Sequence, residues 1–176
     1  MDSAPLPTIL NQQLMVAEPA SGYSCGDCSA CCTVLAVTEL KKPMRMACDH
    51  LCRDGCRIYA DRPAGCRQFN CLWLRGAIRH SENPISADGA SDVTADLPFR
   101  PDHFGVIWDY FVDRVSGQKC LVAFEVYSTA FQRPDVSKLL SQVCESTSLR
   151  LSFRNGSWAE VSDESSLQRA IFCDRE

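Results

Sequence analysis

Long apolar runs are missing from this chain. Among its 176 residues, the most apolar stretches, such as 33–37 and 120–124, fall far short of the roughly 20 residues needed to cross a bilayer. Residues 1–22 lack a basic start and a sustained apolar core, and Pro5, Pro7 and Pro19 interrupt them, so no signal peptide is read there. These absences predict a cytoplasmic protein with no membrane partner. Basic residues are outnumbered as well, with 18 Lys and Arg against 22 Asp and Glu for a net charge of -4, which weighs against nonspecific binding to nucleic acid. No Ser-His-Asp arrangement, phosphate-cradling glycine loop or paired-carboxylate motif is found, and Glu125 on a predicted strand is a lone acid. Nothing names a substrate, so whether the chain is an enzyme stays open.

What the chain has in excess is cysteine. Hydrophobic residues make up 45% and charged residues 23%, the balance of a folded domain with a packed core. Cysteines number 12, and nine of them lie between Cys25 and Cys71. Where thiols are kept reduced, such density points to metal ligands or catalytic groups; a disulfide framework is the alternative. Cys120, Cys144 and Cys173 stand apart in apolar contexts and are read as small buried hydrophobes.

The organisation read from the sequence is an N-terminal arm over 1–22 and a single domain over 23–176. Within that domain, 23–76 is the cysteine-cluster lobe, 77–103 a connection and 104–176 a small α+β part. The fold class expected is α+β, with a loop-rich cysteine lobe packed on a small antiparallel sheet with one or two helices. Segments 104–112 and 119–127 are rich in aromatic and branched residues and predict a hairpin. Val136, Leu139, Leu140 and Val143 recur at helical spacing behind Pro134, which predicts one amphipathic helix over 134–144. Asn155-Gly156 between 149–154 and 157–161 is a strong hairpin signal, and 165–172 is read as a final short helix.

Cys25, Cys28, Cys31 and Cys32 form C-x2-C-x2-C-C, a spacing that lets successive thiolates turn back around one ion. Adjacent residues of an extended segment point to opposite sides, so Cys31 and Cys32 predict two sites or one polynuclear site. The second group is Cys48, Cys52, Cys56, Cys66 and Cys71. Arg62-Pro63 marks a helix start; Cys66 and Cys71, five residues apart, stand about 140° from each other on an ideal helix and cannot share its face. Arg53, Arg57, Arg67 and Arg75 are candidates to screen thiolate charge, with Arg62 anchoring the helix start. His50 is read as packing or as a partner to a ligand, His80 and His103 as exposed, and Tyr59, Phe69 and Trp73 as core.

At these residues the sequence resembles the CxxCxxCC, or YkgJ-like, cysteine-cluster family of zinc- or iron-chelating domains. The elements that carry the resemblance are the C-x2-C-x2-C-C run, E-L-x-K-P from Glu39 to Pro43, Cys48 with His50, and C-x-I-Y-x-x-R-P-x-x-C-R-x-F-x-C from Cys56 to Cys71. They cover roughly the first half of the chain. Ala47 stands where the family often has an aromatic residue. Position by position, the resemblance implies a ligand set of Cys25, Cys28, Cys31, Cys32, Cys48, Cys56, Cys66 and Cys71, with Cys52 as an ambiguous ninth. It further implies bound zinc or iron, the latter as an iron-sulfur cluster, and a link in some relatives to protein-lysine methylation.

Eight thiolates suit two four-coordinate centres, each with a formal charge of minus two whether it holds Zn2+ or a [4Fe-4S]2+ core. The three-cysteine run echoes ferredoxin ligation and tips the expectation towards iron. The function expected is metal binding in a structural or redox role. The alternatives are a metal-dependent oxidoreductase or protein-modifying enzyme, and a zinc-ribbon-like module that recruits a protein partner.

Overall fold

The structure is a computed structural model that describes residues 19, 22–75, 99–112, 117, 119–145, 147 and 149–173. The arm read over 1–22 and the connection read over 77–103 therefore lie largely outside the described residues, as does His80. The chain mixes helices and strands in an α+β arrangement, in agreement with the expected class. None of the described helices is long and apolar enough to cross a membrane.

Strands β3 (Val106–Val112), β4 (Lys119–Glu125), β5 (Leu149–Ser152) and β6 (Trp158–Val161) form one sheet in that order. The β3–β4 hairpin pairs Val106 with Glu125 through to Val112 with Lys119. Around Asn155-Gly156, Leu149 pairs with Val161 and Ser152 with Trp158. The Phe153 N–H donates to the Ser157 carbonyl (2.9 Å) and the Gly156 N–H to the Phe153 carbonyl (3.0 Å), so the loop holds three residues, with Gly156 in the left-handed region at φ 93°.

The main sheet is mixed, which differs from the antiparallel sheet expected. Helix α4 (Pro134–Cys144) intervenes between β4 and β5 and carries the chain back across the sheet, so Leu121 pairs with Leu149 and Phe124 with Ser152 in parallel. Helix α4 begins at Pro134, where a missing N–H is harmless, and buries Val136, Leu140 and Cys144 at intervals of four. Helix α5 (Glu164–Phe172) opens on a capping box: the Ser166 N–H donates to the Asp163 carboxylate at 2.7 Å and the Asp163 N–H to Ser166 Oγ at 3.2 Å.

Strand alternation gives the sheet two buried faces. Val106, Trp108, Leu121, Ala123, Leu149, Leu151 and Val161 meet α4 and α5 in the main core, together with Phe131 and Phe153. Ile107, Val122 and Phe124 point the other way, onto Ala30 and Val34, with Leu35, Met44, Phe69 and Trp158 at the margin. The cysteine lobe thus covers the second face. Burial of each large apolar side chain contributes about 1.5–3 kcal/mol, so the lobe and the sheet stabilise each other through this contact.

Candidate metal centre

The lobe has little regular structure: helix α1 (Ala30–Val34), a two-stranded ribbon of β1 (Leu51–Cys52) and β2 (Gly55–Cys56), and helix α2 (Ala64–Gln68). The C-x2-C-x2-C-C run enters α1, so Cys31 and Cys32 are helical and not extended as expected. The Leu35 N–H donates to the Cys31 carbonyl at 3.0 Å, and consecutive helical residues diverge by about 100°. Despite that divergence the two thiols stay within hydrogen-bonding reach of each other, and Lys42 lies within reach of both.

Cys31 lies within electrostatic reach of Cys25 and Cys28, and Cys25 within reach of Cys71. Cys28, Cys31 and Cys71 pack against the cluster of Ala30, Val34, Ile107, Val122 and Phe124, while Cys25 and Cys71 also touch the cluster of Tyr23, Trp73 and Leu74. The Trp73 ring meets Tyr23 edge-on at 5.1 Å. Main-chain N–H groups of Ala30 and Asp102 donate to the Cys28 sulfur, and those of Leu74 and Trp73 to the Cys71 sulfur. Burial nevertheless pushes the Cys28 thiol up to about 12 and the Cys71 thiol up to about 11. The hydrogen bond with Cys32, followed by burial, raises Cys31 as well.

Cys71 is delivered by the end of α2. The helix ends at Gln68, so Cys66 sits inside it and Cys71 beyond it, where the Leu72 N–H donates to the Trp108 carbonyl at 2.9 Å and ties the segment to the β3 edge. Arg75, read as a screen for thiolates, pairs instead with Asp109. On the other side of this group, Arg100 grips both Asp102 oxygens (2.8 and 2.7 Å) and Asp27 (2.8 Å). It fixes helix α3 (Pro101–Phe104) against the first knuckle.

A second neighbourhood gathers Cys32, Cys48, Cys56 and Cys66. Cys66 lies within electrostatic reach of the other three, and the Cys48 N–H donates to the Cys32 carbonyl at 2.9 Å. In the ribbon, Leu51 pairs with Cys56 and Cys52 with Gly55. Paired residues share a face and successive ones alternate, so Cys52 and Cys56 face opposite ways. The ribbon needs Gly55, whose φ of 110° no other residue adopts easily. His50 contributes its carbonyl, which accepts from the Arg57 N–H at 2.8 Å.

Two cations beside this second group were missed by reasoning from sequence. Lys42 is 7% exposed; its ammonium donates to the carbonyls of Leu35 and Pro43 and lies within reach of Cys48, Cys32, Cys31 and Cys66. Burial lowers the Lys42 pKa, against the pull of those cysteines. Arg62 was assigned only to the helix start, which Pro63 in fact caps. It lies over the Tyr59 ring at 3.7 Å with its charge near Cys32 and Cys66. Tyr59 is 45% exposed and so is not the core residue expected. The hydrogen bond from Cys31, helped by Lys42 and Arg62, lowers Cys32 to about 7. The E-L-x-K-P motif held the signal: Glu39 accepts the Gly65 N–H at 2.8 Å and so ties α2 to the strip that carries Lys42. A Cβ at Gly65 would stand 3.0 Å from the Glu39 carboxylate.

All the cysteines are free thiols, including Cys120, Cys144 and Cys173. Cys144 is buried in the main core and its thiol donates to the Ser141 carbonyl at 3.1 Å. Cys173 is exposed just past the end of α5, which corrects the reading of it as buried. His103 is exposed, as expected. Among the described residues no three or more Cys, His, Asp or Glu side chains are placed, as they stand, to hold a metal ion. The sulfurs are thus grouped by neighbourhood and not closed on a common centre. Compared with protein-family models, with curated proteins and with solved structures, the chain matches none.

Proposed function

We propose that this protein binds metal through Cys25, Cys28, Cys31, Cys32, Cys48, Cys56, Cys66 and Cys71, as zinc or as an iron-sulfur cluster, in a structural or redox role. What carries the reading is that eight thiols from two separate stretches of chain recur at ligand spacing in the sequence and all stand free of disulfides. The donor set suits either metal: thiolates bind zinc and iron-sulfur cores alike. Main-chain N–H groups aimed at the Cys28 and Cys71 sulfurs are the partners that stabilise thiolate ligands and tune their basicity. Closing a coordination shell requires the cysteines to move from where they stand. The free energy of metal binding is large enough to drive that rearrangement, at about 10–16 kcal/mol for structural zinc in small domains.

Iron is favoured over zinc by the C-x2-C-x2-C spacing alone. The deciding measurement is elemental analysis with an absorption spectrum on protein purified without exposure to air. Broad visible absorption with bound iron and sulfide identifies a cluster, and a colourless zinc-loaded sample identifies zinc. Less than one equivalent of zinc and iron combined would overturn the reading.

A further inference from the structure

The tip of the β5–β6 hairpin brings together a side-chain amide, an unscreened main-chain nitrogen and two hydrogen-bond donors. Of the chain's four asparagines only Asn155 is followed by glycine, so the next nitrogen has no Cβ beside it to hinder an approach. Asn155, Gly156 and Ser157 are all exposed, and the space that a Cβ on Gly156 would take is empty to 4 Å. Asn155 Oδ1 accepts from the Ser157 N–H at 2.9 Å and from the Ser157 hydroxyl at 2.7 Å. These bonds fold the amide forward along the loop, towards the Gly156 nitrogen that lies between the two residues. Two donors on one carbonyl oxygen also stabilise the negative charge that attack on its carbon places there. From this geometry we infer that Asn155 is a site of self-modification by deamidation, assisted by Ser157. The Gly156 nitrogen gives up its proton and bonds to Asn155 Cγ; the Cγ–Nδ2 bond breaks and ammonia leaves with that proton, closing a cyclic succinimide. Water then opens the ring at either carbonyl and leaves aspartate or isoaspartate. Only water is consumed, and no oxidant or cofactor enters. The Gly156 N–H donates to the Phe153 carbonyl at 3.0 Å, so the reaction runs from moments when that bond opens, as exposed loop tips do most readily. Either product adds a negative charge next to Arg154. Isoaspartate also inserts a methylene into the main chain of a short loop, which loosens the pairing of Ser152 with Trp158.

The test incubates the full chain, folded and as purified, at mildly alkaline pH and samples it over days. Each sample is digested at acidic pH, where the reaction is slow, and peptides containing residue 155 are resolved by chromatography and mass spectrometry. Asn155 should convert ahead of Asn11, Asn70 and Asn83, with isoaspartate in excess over aspartate. Gly156→Ala should slow the conversion about tenfold, because its Cβ hinders the attacking nitrogen. Ser157→Ala should slow it about threefold, having lost one of the two donors on Oδ1. Asn155→Gln, whose longer side chain closes a larger ring, should show no conversion over the same time. Gly156 has a φ of 93°, which strains an alanine there; should that variant not fold, Asn155→Gln and Ser157→Ala decide alone. An Asn155 that keeps its amide in the folded protein while the urea-unfolded chain loses it would overturn the proposal, as would conversion of another asparagine first. Conversion in Ser157→Ala as fast as in wild type would overturn the assistance by the hairpin. Metal content bears on none of these outcomes.

Discussion

The two halves of this molecule solve the problem of staying folded by different means. The strands β3 and β4 run for seven residues each, and the core beneath α4 and α5 includes Phe131, Leu140, Leu151, Leu167 and Ile171 at essentially zero exposure. In the lobe, no helix exceeds five residues and the ribbon strands have two each. Its buried side chains, such as Ala30 and Val34, are spent mainly on the sheet. Elements this short cannot hold themselves together in water, so the lobe depends on the sheet and, on the proposed reading, on metal held by its cysteines. A region rich in thiols and poor in core is what a ligand-dependent fold looks like.

On the proposed metal-binding reading, the largest effect expected from this contrast is the response to metal removal. Stripping the metal under reducing conditions should release the lobe while the sheet half keeps its structure. Hydrogen exchange should show amides of 25–74 losing protection, with those of β4 and β5 still protected. Because Ile107, Val122 and Phe124 would then be uncovered, the stripped protein should also bind a hydrophobic dye. Loss of protection in both halves together would show that the contrast is false and that the chain is one cooperative unit. Next in size is Phe131→Ala, which empties a site packed edge-on against Phe153 at 5.4 Å and should cost about 3–5 kcal/mol in urea unfolding. Metal content per folded molecule should not change.

The same contrast governs how much could be read from the amino acids alone. In the second half, spacing of Val136 and Leu140, Pro134 at the helix start and Asn155-Gly156 at the hairpin are local signals, and elements form where they point. The parallel pairing of β4 with β5 is not local, and the antiparallel expectation failed there. In the lobe, the cysteine spacing marked the residues worth attention, and it was legible that Cys66 and Cys71 do not share a helix face. The placement of Lys42 and Arg62 was not, because a cation's neighbours depend on how loops fold back and not on its position in a pattern. One clue went unused: 106–108 and 121–124 are apolar almost without interruption, which signals a sheet buried on both faces and hence a lobe lying over it.

Between the halves stands Arg45, and its replacement ranks third. Its guanidinium donates to the carbonyls of Glu125 and Ser152 and to Ser152 Oγ, while its own carbonyl accepts from Arg154 at 2.8 Å. Burial pulls its pKa down to about 10, so it remains charged at neutral pH. Glu125, read from sequence as an isolated acid on a strand, is structural: its carboxylate accepts the Arg154 N–H at 2.9 Å and the Phe131 N–H at 3.4 Å. Arg45→Met keeps much of the bulk but leaves sheet-end carbonyls without a charged donor, at a cost of about 2–3 kcal/mol. Any bound metal should be released faster from this variant, since Arg45 stands three residues before Cys48. A variant as stable as wild type would show that the halves meet through apolar contact alone.

The smallest effect belongs to the cap of α5, and it sharpens the contrast because it should ignore the metal. Donation from Ser166 holds the Asp163 carboxyl below its ordinary value. A carboxyl whose folded pKa is depressed stabilises the protein fully above its unfolded pKa, about 3.9 for Asp, and loses that contribution as pH falls through the folded value. Asp163→Ala should therefore lower the melting temperature modestly at pH 7, and the gap to wild type should close as the pH drops below about 4. In protein held at one pH, the gap should be the same with metal bound or stripped, because among the described residues the buried side chains of α5 belong to the main core. A cap effect that vanished with the metal would mean that the sheet half does not stand by itself, and that the cysteine lobe supports the whole chain.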